Sequence, residues 1–429
     1  MKKEKGIAML RRMAQTRYFT VLEGIVVGIT AGLVTVLFRA ALSQEDSWLK
    51  AALTYCNANP AMIPVWLLVL SAAAGLVTLL LRWEPLISGS GIPQVEGELQ
   101  GNIQTVWWKV LLAKLAGGMV AIGSGLALGR EGPSIQLGAM AGKGVSRISG
   151  RITEERLLLT CGASAGLAAA FNAPLAGVLF SLEEVHKKIS ADLLLPCMAS
   201  SITADFISRN IFGLAPVFHI SQHSMLPLKE YWLVVLLGIL LGLFGVLYNR
   251  SIAWIQTLYD KIPRLYVRIL IPFLLAGLLG FVYPEVLGGG HGIVEGLSAN
   301  HTVGMLALLL AVRFLFSLIS FGSGAPGGIF LPLLVLGAVL GCLVGQAAGL
   351  AGLSVPIENF IILGMAGFFA AVVRAPITGI LLIYEMTGGV SHLLSFALVS
   401  IIAYAVADLL HAEPIYDQLL RRILKKKSS

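Results

Sequence analysis

The sequence predicts an all-α integral membrane protein, two inverted structural repeats of tilted and discontinuous helices. Three observations carry that prediction. The 429 residues are 57% hydrophobic and 13% charged, with a mean hydropathy of +0.84, which leaves too little polar surface for a water-soluble chain of this size. Residues 51–81 and 314–357 hold no Asp, Glu, Lys or Arg, and each exceeds the ~20 residues that cross a hydrocarbon core. Glycine-proline breaks inside the apolar sequence recur at a nearly fixed offset, the mark of a duplicated transporter-like chain.

Residues 1–19 form a basic N-terminal segment with Lys2, Lys3, Lys5, Arg11 and Arg12. The apolar run behind it is long and lacks a small-residue cleavage site, so a retained first helix is expected. Apolar stretches predict helices near 20–42, 61–82, 105–127 and 191–212 in a first transmembrane repeat, 20–215. A polar, proline-containing connector, 216–229, leads to a second repeat, 230–411, with helices near 230–258, 265–283, 303–320, 333–350 and 392–411. Residues 412–429 then supply a C-terminal helix and a basic tail with Arg421, Arg422, Lys425, Lys426 and Lys427. Lysine and arginine beside membrane segments favour the cytoplasm, so both termini are expected on the cytoplasmic side of a cell inner (plasma) membrane.

The breaks locate the chemistry. Gly129-x-x-x-Pro133 followed by Leu137-Gly138-Ala139 matches Gly328-x-x-x-Pro332 followed by Leu336-Gly337-Ala338 at an offset of 199 (328 − 129). Ala173-Pro174-x-x-Gly177-x-Leu179 and Glu183 match Ala375-Pro376-x-x-Gly379-x-Leu381 and Glu385 at an offset of 202 (376 − 174). Irregular backbone at membrane depth is tolerated only when buried in protein or lining a polar cavity. Each break precedes a helix-like run, and a helix N-terminus offers free N–H groups and a partial positive charge to an anion. Proline in the first turn fits there, because its missing N–H would have had no partner. Partial charges also bind an anion loosely enough to release it. Glu131 is a carboxylate inside this apolar sequence, and a charge at such depth is functional by default.

Other chemistries find less support. The basic residues flank apolar spans and do not form a patch with interleaved aromatics, so the net charge of +8 points to lipid headgroups and not to nucleic acid. Cys56, Cys161, Cys197 and Cys342 are scattered, and the seven histidines form no close pair, so neither a metal nor a cofactor is expected. Gly162-Ala163-Ser164-Ala165-Gly166 fits the G-x-S-x-G nucleophile pattern, but it lies in an alanine-rich helical run with no nearby histidine, so no enzyme is expected.

Gly89-Ser90-Gly91-Ile92-Pro93, Gly129-Arg130-Glu131-Gly132-Pro133 and Gly328-Ile329-Phe330-Leu331-Pro332, with Tyr416 in Glu413-Pro414-Ile415-Tyr416, resemble the motifs of the CLC chloride channels and proton-coupled chloride transporters. The resemblance runs from about residue 20 to 420 and lies nearest the prokaryotic H+/Cl− antiporters. It implies a central chloride held by Ser90 Oγ, Tyr416 Oη and the N–H groups of Ile329 and Phe330. Glu131 would be the gating and external proton glutamate, with Arg130 raising the potential beside it. Glu184 would be the internal proton glutamate, and its carboxylate favours exchange over the alternative, a passive chloride channel. Glu183, matched by Glu385, is expected to satisfy buried backbone or hydroxyl groups. Lys114, in an apolar helix, is expected to pair with Glu96. The family also implies a homodimer with one pore per subunit, chloride and protons as the transported ions, and the bilayer as the surrounding partner.

Overall fold

The computed structural model describes residues 2–220, 226–298, 300–353, 355–388 and 393–428. Residues 221–225 of the expected connector and the side chains of 2–17, with the basic N-terminal cluster, lie outside what is described. The first repeat runs through α1 (Lys2–Ala58), α2 (Ile63–Trp83), α3 (Ile92–Leu99), α4 (Trp107–Gly123), α5 (Glu131–Ile148), α6 (Glu155–Phe171), α7 (Pro174–Phe180) and α8 (Ala191–Phe212). The second follows with α9 (Tyr231–Asp260), α10 (Leu265–Val282), α11 (His291–Gly296), α12 (Val303–Gly322), α13 (Phe330–Leu350), α14 (Ile357–Val373), α15 (Pro376–Thr387) and α16 (Leu393–Leu409), and α17 (Ile415–Ser428) closes the chain. The first helix continues to Ala58, well beyond the expected end near 42, because Ala51, Ala52 and Leu53 extend the run and the stop comes only at Asn59-Pro60.

Six helices among the described residues are long and apolar enough to cross a membrane. Their outer faces carry the exposed apolar side chains a bilayer would cover, such as Leu68, Leu79, Trp232 and Leu247. The inner helices are different. α5, α6, α13 and α14 are buried on nearly every side and meet backbone to backbone. A Cβ on Gly138 would lie 3.0 Å from Gly166 Cα, and one on Gly337 would lie 2.8 Å from the Cβ of Phe368, so glycine is what lets these pairs close.

The two repeats face each other about an internal two-fold axis. Gly129 N–H donates to Gly328 O and Gly328 N–H donates to Gly129 O, both at 2.7 Å, as an isolated antiparallel bridge. Further contacts are reciprocal. Gly89 N–H donates to Gly324 O at 3.3 Å, while the equivalent Gly288 N–H donates to Gly125 O at 2.9 Å. Glu183 Oε2 accepts from Thr378 N at 3.0 Å and Thr378 Oγ1 at 2.7 Å, whereas Glu385 accepts from Leu175 N at 3.1 Å and Ala176 N at 2.8 Å. Each glutamate therefore caps the opening turn of the other repeat's short helix. Such crossed pairing is what a two-fold relation produces, as in an isologous interface.

Candidate functional site

The site forms where the glycine-proline breaks cross. Gly89 and Gly91, at φ +63° and +95°, turn the chain between the short 3₁₀ helix 85–87 and α3, a conformation that excludes most L side chains. That turn presses Ser90 onto the start of α5, where a Cβ on Gly132 would meet Ser90 O at 2.9 Å and Gly328 Cα at 3.2 Å. Pro93, Pro133 and Pro332 each sit in the first turn of their helix, where no intrahelical N–H bond is lost. The N-termini of α3, α5 and α13 are thus gathered at the bridge between Gly129 and Gly328.

Several polar atoms gathered there have no hydrogen-bond partner among the described residues: Ser90 Oγ, Tyr416 Oη and both carboxylate oxygens of Glu131. All three residues are buried. Arg130 Nε approaches Glu131 Oε1 only to 4.0 Å. The Glu131 carboxylate faces its own N–H and that of Leu331 in the opposite frame, without closing a full hydrogen bond to either. Buried polar groups are ordinarily paired, so this cluster is a place prepared for something else. Ile329 and Phe330 open α13, where the first N–H groups have no intrahelical acceptor. The Phe330 ring packs against Phe171, Phe180 and Phe369 at 4.7–5.8 Å between centroids, and Phe180 also meets Tyr416 edge-on at 6.2 Å. One frame therefore presents a carboxylate and its copy an aromatic wall.

A cavity of about 360 Å³ reaches Ser90 between Tyr259, Phe321 and Ser323, and Arg268, Arg422 and Lys426 also line it. These three cations pair with Asp260 at the end of α9.

Glu184 stands apart from its neighbour Glu183. Residues 181–185 form a π-turn closed by His186 N–H donating to Ser181 O at 2.8 Å, which turns Glu184 inward while Glu183 caps α15. Glu184 is buried and its Oε1 has no partner among the described residues. In the second repeat α15 stays α-helical through the equivalent Met386 and ends on Gly388 at φ +68°. Just past the π-turn the chain bends at Lys187 with φ +55°, a left-handed conformation that costs a non-glycine residue about 1–2 kcal/mol.

The expected pair of Lys114 and Glu96 is not formed. Lys114 Nζ instead donates to Ile87 O at 2.8 Å and Gly89 O at 2.6 Å, satisfying carbonyls exposed where the 3₁₀ helix ends. Glu96 is held by Lys187 Nζ at 2.8 Å and Gln100 Nε2 at 2.9 Å. The second repeat has the same device, which sequence reasoning missed: Arg313 donates to Val286 O at 2.5 Å and Gly288 O at 2.7 Å. Lys114, Ile87 and Gly89 each lie 199 residues before these partners (313 − 114), and Pro85 and Glu96 likewise match Pro284 and Glu295. That continued offset was the signal available.

Residues 72–408 match the family described as "Voltage gated chloride channel". The H(+)/Cl(-) exchange transporter ClcA of Vibrio campbellii is 38% identical over 440 residues, covering 97% of this chain and 92% of that protein. The protein of the same name from Vibrio vulnificus is 40% identical over 423 residues, covering 93% and 88%. A slow cyanobacterial Cl-/H+ antiporter of known structure superposes with a TM-score of 0.88 at 33% identity, covering 96% of this chain and 99% of that one. A eukaryotic CLC transporter shares the fold, with a TM-score of 0.80 at 22% identity over 96% of this chain and 75% of that one. By motif, crossed architecture and likeness along almost its whole length, the chain belongs to the voltage-gated chloride channel (CLC) family.

Proposed function

We propose that this chain moves chloride across a membrane in exchange for protons and performs no covalent chemistry. The observation that supports this most is the group of buried, unpartnered polar atoms, Ser90 Oγ, Tyr416 Oη and the Glu131 carboxylate, gathered beside the N-termini of α5 and α13. In this reading Ser90, Tyr416 and the N–H groups of Ile329 and Phe330 hold a chloride. Ionised Glu131 competes for the same field as a tethered anion. Once protonated it loses that attraction and swings aside, so a proton is taken up as an anion position opens. Arg130 keeps the potential at the outer approach positive. Glu184 passes protons from the cytoplasmic side, a role for which its buried carboxyl, with Oε1 unpartnered among the described residues, and the π-turn that aims it both argue.

The same reading assigns repeats to 20–215 and 230–411, a homodimer with one pore per subunit, and an inner-membrane location with both termini in the cytoplasm. In liposomes of pure protein, an outward chloride gradient drives protons uphill. Chloride flux without proton movement would instead establish a passive anion channel. Glu184→Gln lowers proton flux at least several-fold and chloride flux much less, as removal of one positioned proton carrier requires. Equal losses in both fluxes remove Glu184 from the proton route.

A further inference from the structure

Lys187 sits at the junction of three elements. Its Nζ bridges Glu96 of α3 and Asp417 of α17, the residue after Tyr416. Burial lowers its pKa, but the bonds to Asp417 and Glu96 outweigh that and raise it, so Lys187 stays charged. The charges of Lys187, Asp417, Glu96 and Glu183 all act on the Glu184 carboxyl, and Tyr416 lies within reach of Glu184's own charge. Of the remaining neighbours of the π-turn, α7 carries no ionisable side chain, α6 presents Thr160 and the charge of Arg156 to His186, and Lys188 adds its charge there as well. Lys187 also holds a left-handed backbone conformation, at φ +55°, that ordinarily favours glycine. A glycine there would relieve the backbone, so the lysine is kept for what its ammonium does.

Resting on the exchange reading above, we propose that Lys187, clamped between Glu96 and Asp417, is a positioning residue that sets when Glu184 accepts a proton from the cytoplasmic side. A cation beside a carboxyl favours its ionised form and an anion favours its protonated form. Lys187 and Asp417 therefore pull the loading of Glu184 in opposite directions, and their pairing fixes the balance. Because Asp417 adjoins Tyr416, the clamp also ties proton loading to the helix that lines the anion position.

The test is the ratio of proton to chloride flux in liposomes of full-length protein across a pH series. Lys187→Gly removes the charge while easing the backbone, and it moves the midpoint of the ratio about one unit to higher pH. Asp417→Asn moves it about one unit to lower pH, and Lys187→Arg keeps the original profile. Opposite shifts are not produced by a merely structural lock. Unmoved profiles, shifts of the same sign, or a parallel fall of both fluxes would overturn the inference while leaving exchange intact. A wild-type protein that moves chloride but no protons at any pH defeats the exchange reading and this inference together.

Discussion

Glu131→Gln ends proton transport and leaves chloride transport running. The glutamine amide keeps the size of the side chain but can carry neither the proton nor the negative charge. With no hydrogen bond among the described residues holding either carboxylate oxygen, the side chain is kept in place mainly by the electrostatics of two helix N-termini and Arg130. A neutral amide loses most of that attraction and no longer competes with chloride for the site. Proton flux under a chloride gradient falls at least about 100-fold, the order lost with a positioned proton-transfer group. Chloride efflux, followed with an electrode on the same liposomes, persists and no longer varies with pH through this residue. Retained coupling in this variant would remove the gate from the mechanism.

The second large effect is on stability. Arg313→Met strips two buried carbonyls, Val286 O and Gly288 O, of their side-chain donor, while Lys114→Met strips Ile87 O and leaves Gly89 O with the Gly327 N–H at 3.0 Å. An unsatisfied buried acceptor costs about 1–3 kcal/mol, so the Arg313 variant with two loses several kcal/mol and the Lys114 variant with one loses less, each partly offset by no longer burying a cation. Thermal unfolding in detergent shows this as a Tm lower by several degrees. The Lys114 variant also transports poorly, because Gly89 O belongs to the turn that carries Ser90. Arg313→Lys is tolerated, since Lys114 already spans the equivalent pair of carbonyls with one ammonium. A Met variant as stable as the parent would show that these carbonyls find other donors.

The legible parts of this chain were those written in local sequence. Long lipid-facing helices such as α2, α9 and α12 declare themselves by length and hydropathy. The breaks declare themselves by glycine and proline. The inner helices α5, α6 and α14 were harder to see, because they pack glycine against backbone and have no polar outer face to produce a period. The Lys114 assignment failed for a physical reason. A buried cation was sought a carboxylate, when two carbonyls at a 3₁₀ helix end were closer, and carbonyls are invisible in a sequence. The true partner of Glu96 lies on a distant segment, presented by a π-turn that no residue pattern announces. The repeat was legible at Gly129 and Gly328, but its continuation through 85–96 and 284–295 was masked where Ser90 became Gly289 and Pro93 became Gly292.

The paired 2.7 Å hydrogen bonds between Gly129 and Gly328 also bear on how the molecule can move. They rivet the starts of α5 and α13 into one stiff junction at the centre of the protein, shared by both halves. A rocking of one half against the other would have to shear those bonds in a medium that offers no replacement partners. If that junction stays intact through the cycle, the proposed exchange would expose the ion to alternate sides by rotations about single bonds in side chains such as Glu131. Covalently tying α5 to α13 at their starts should then leave transport working.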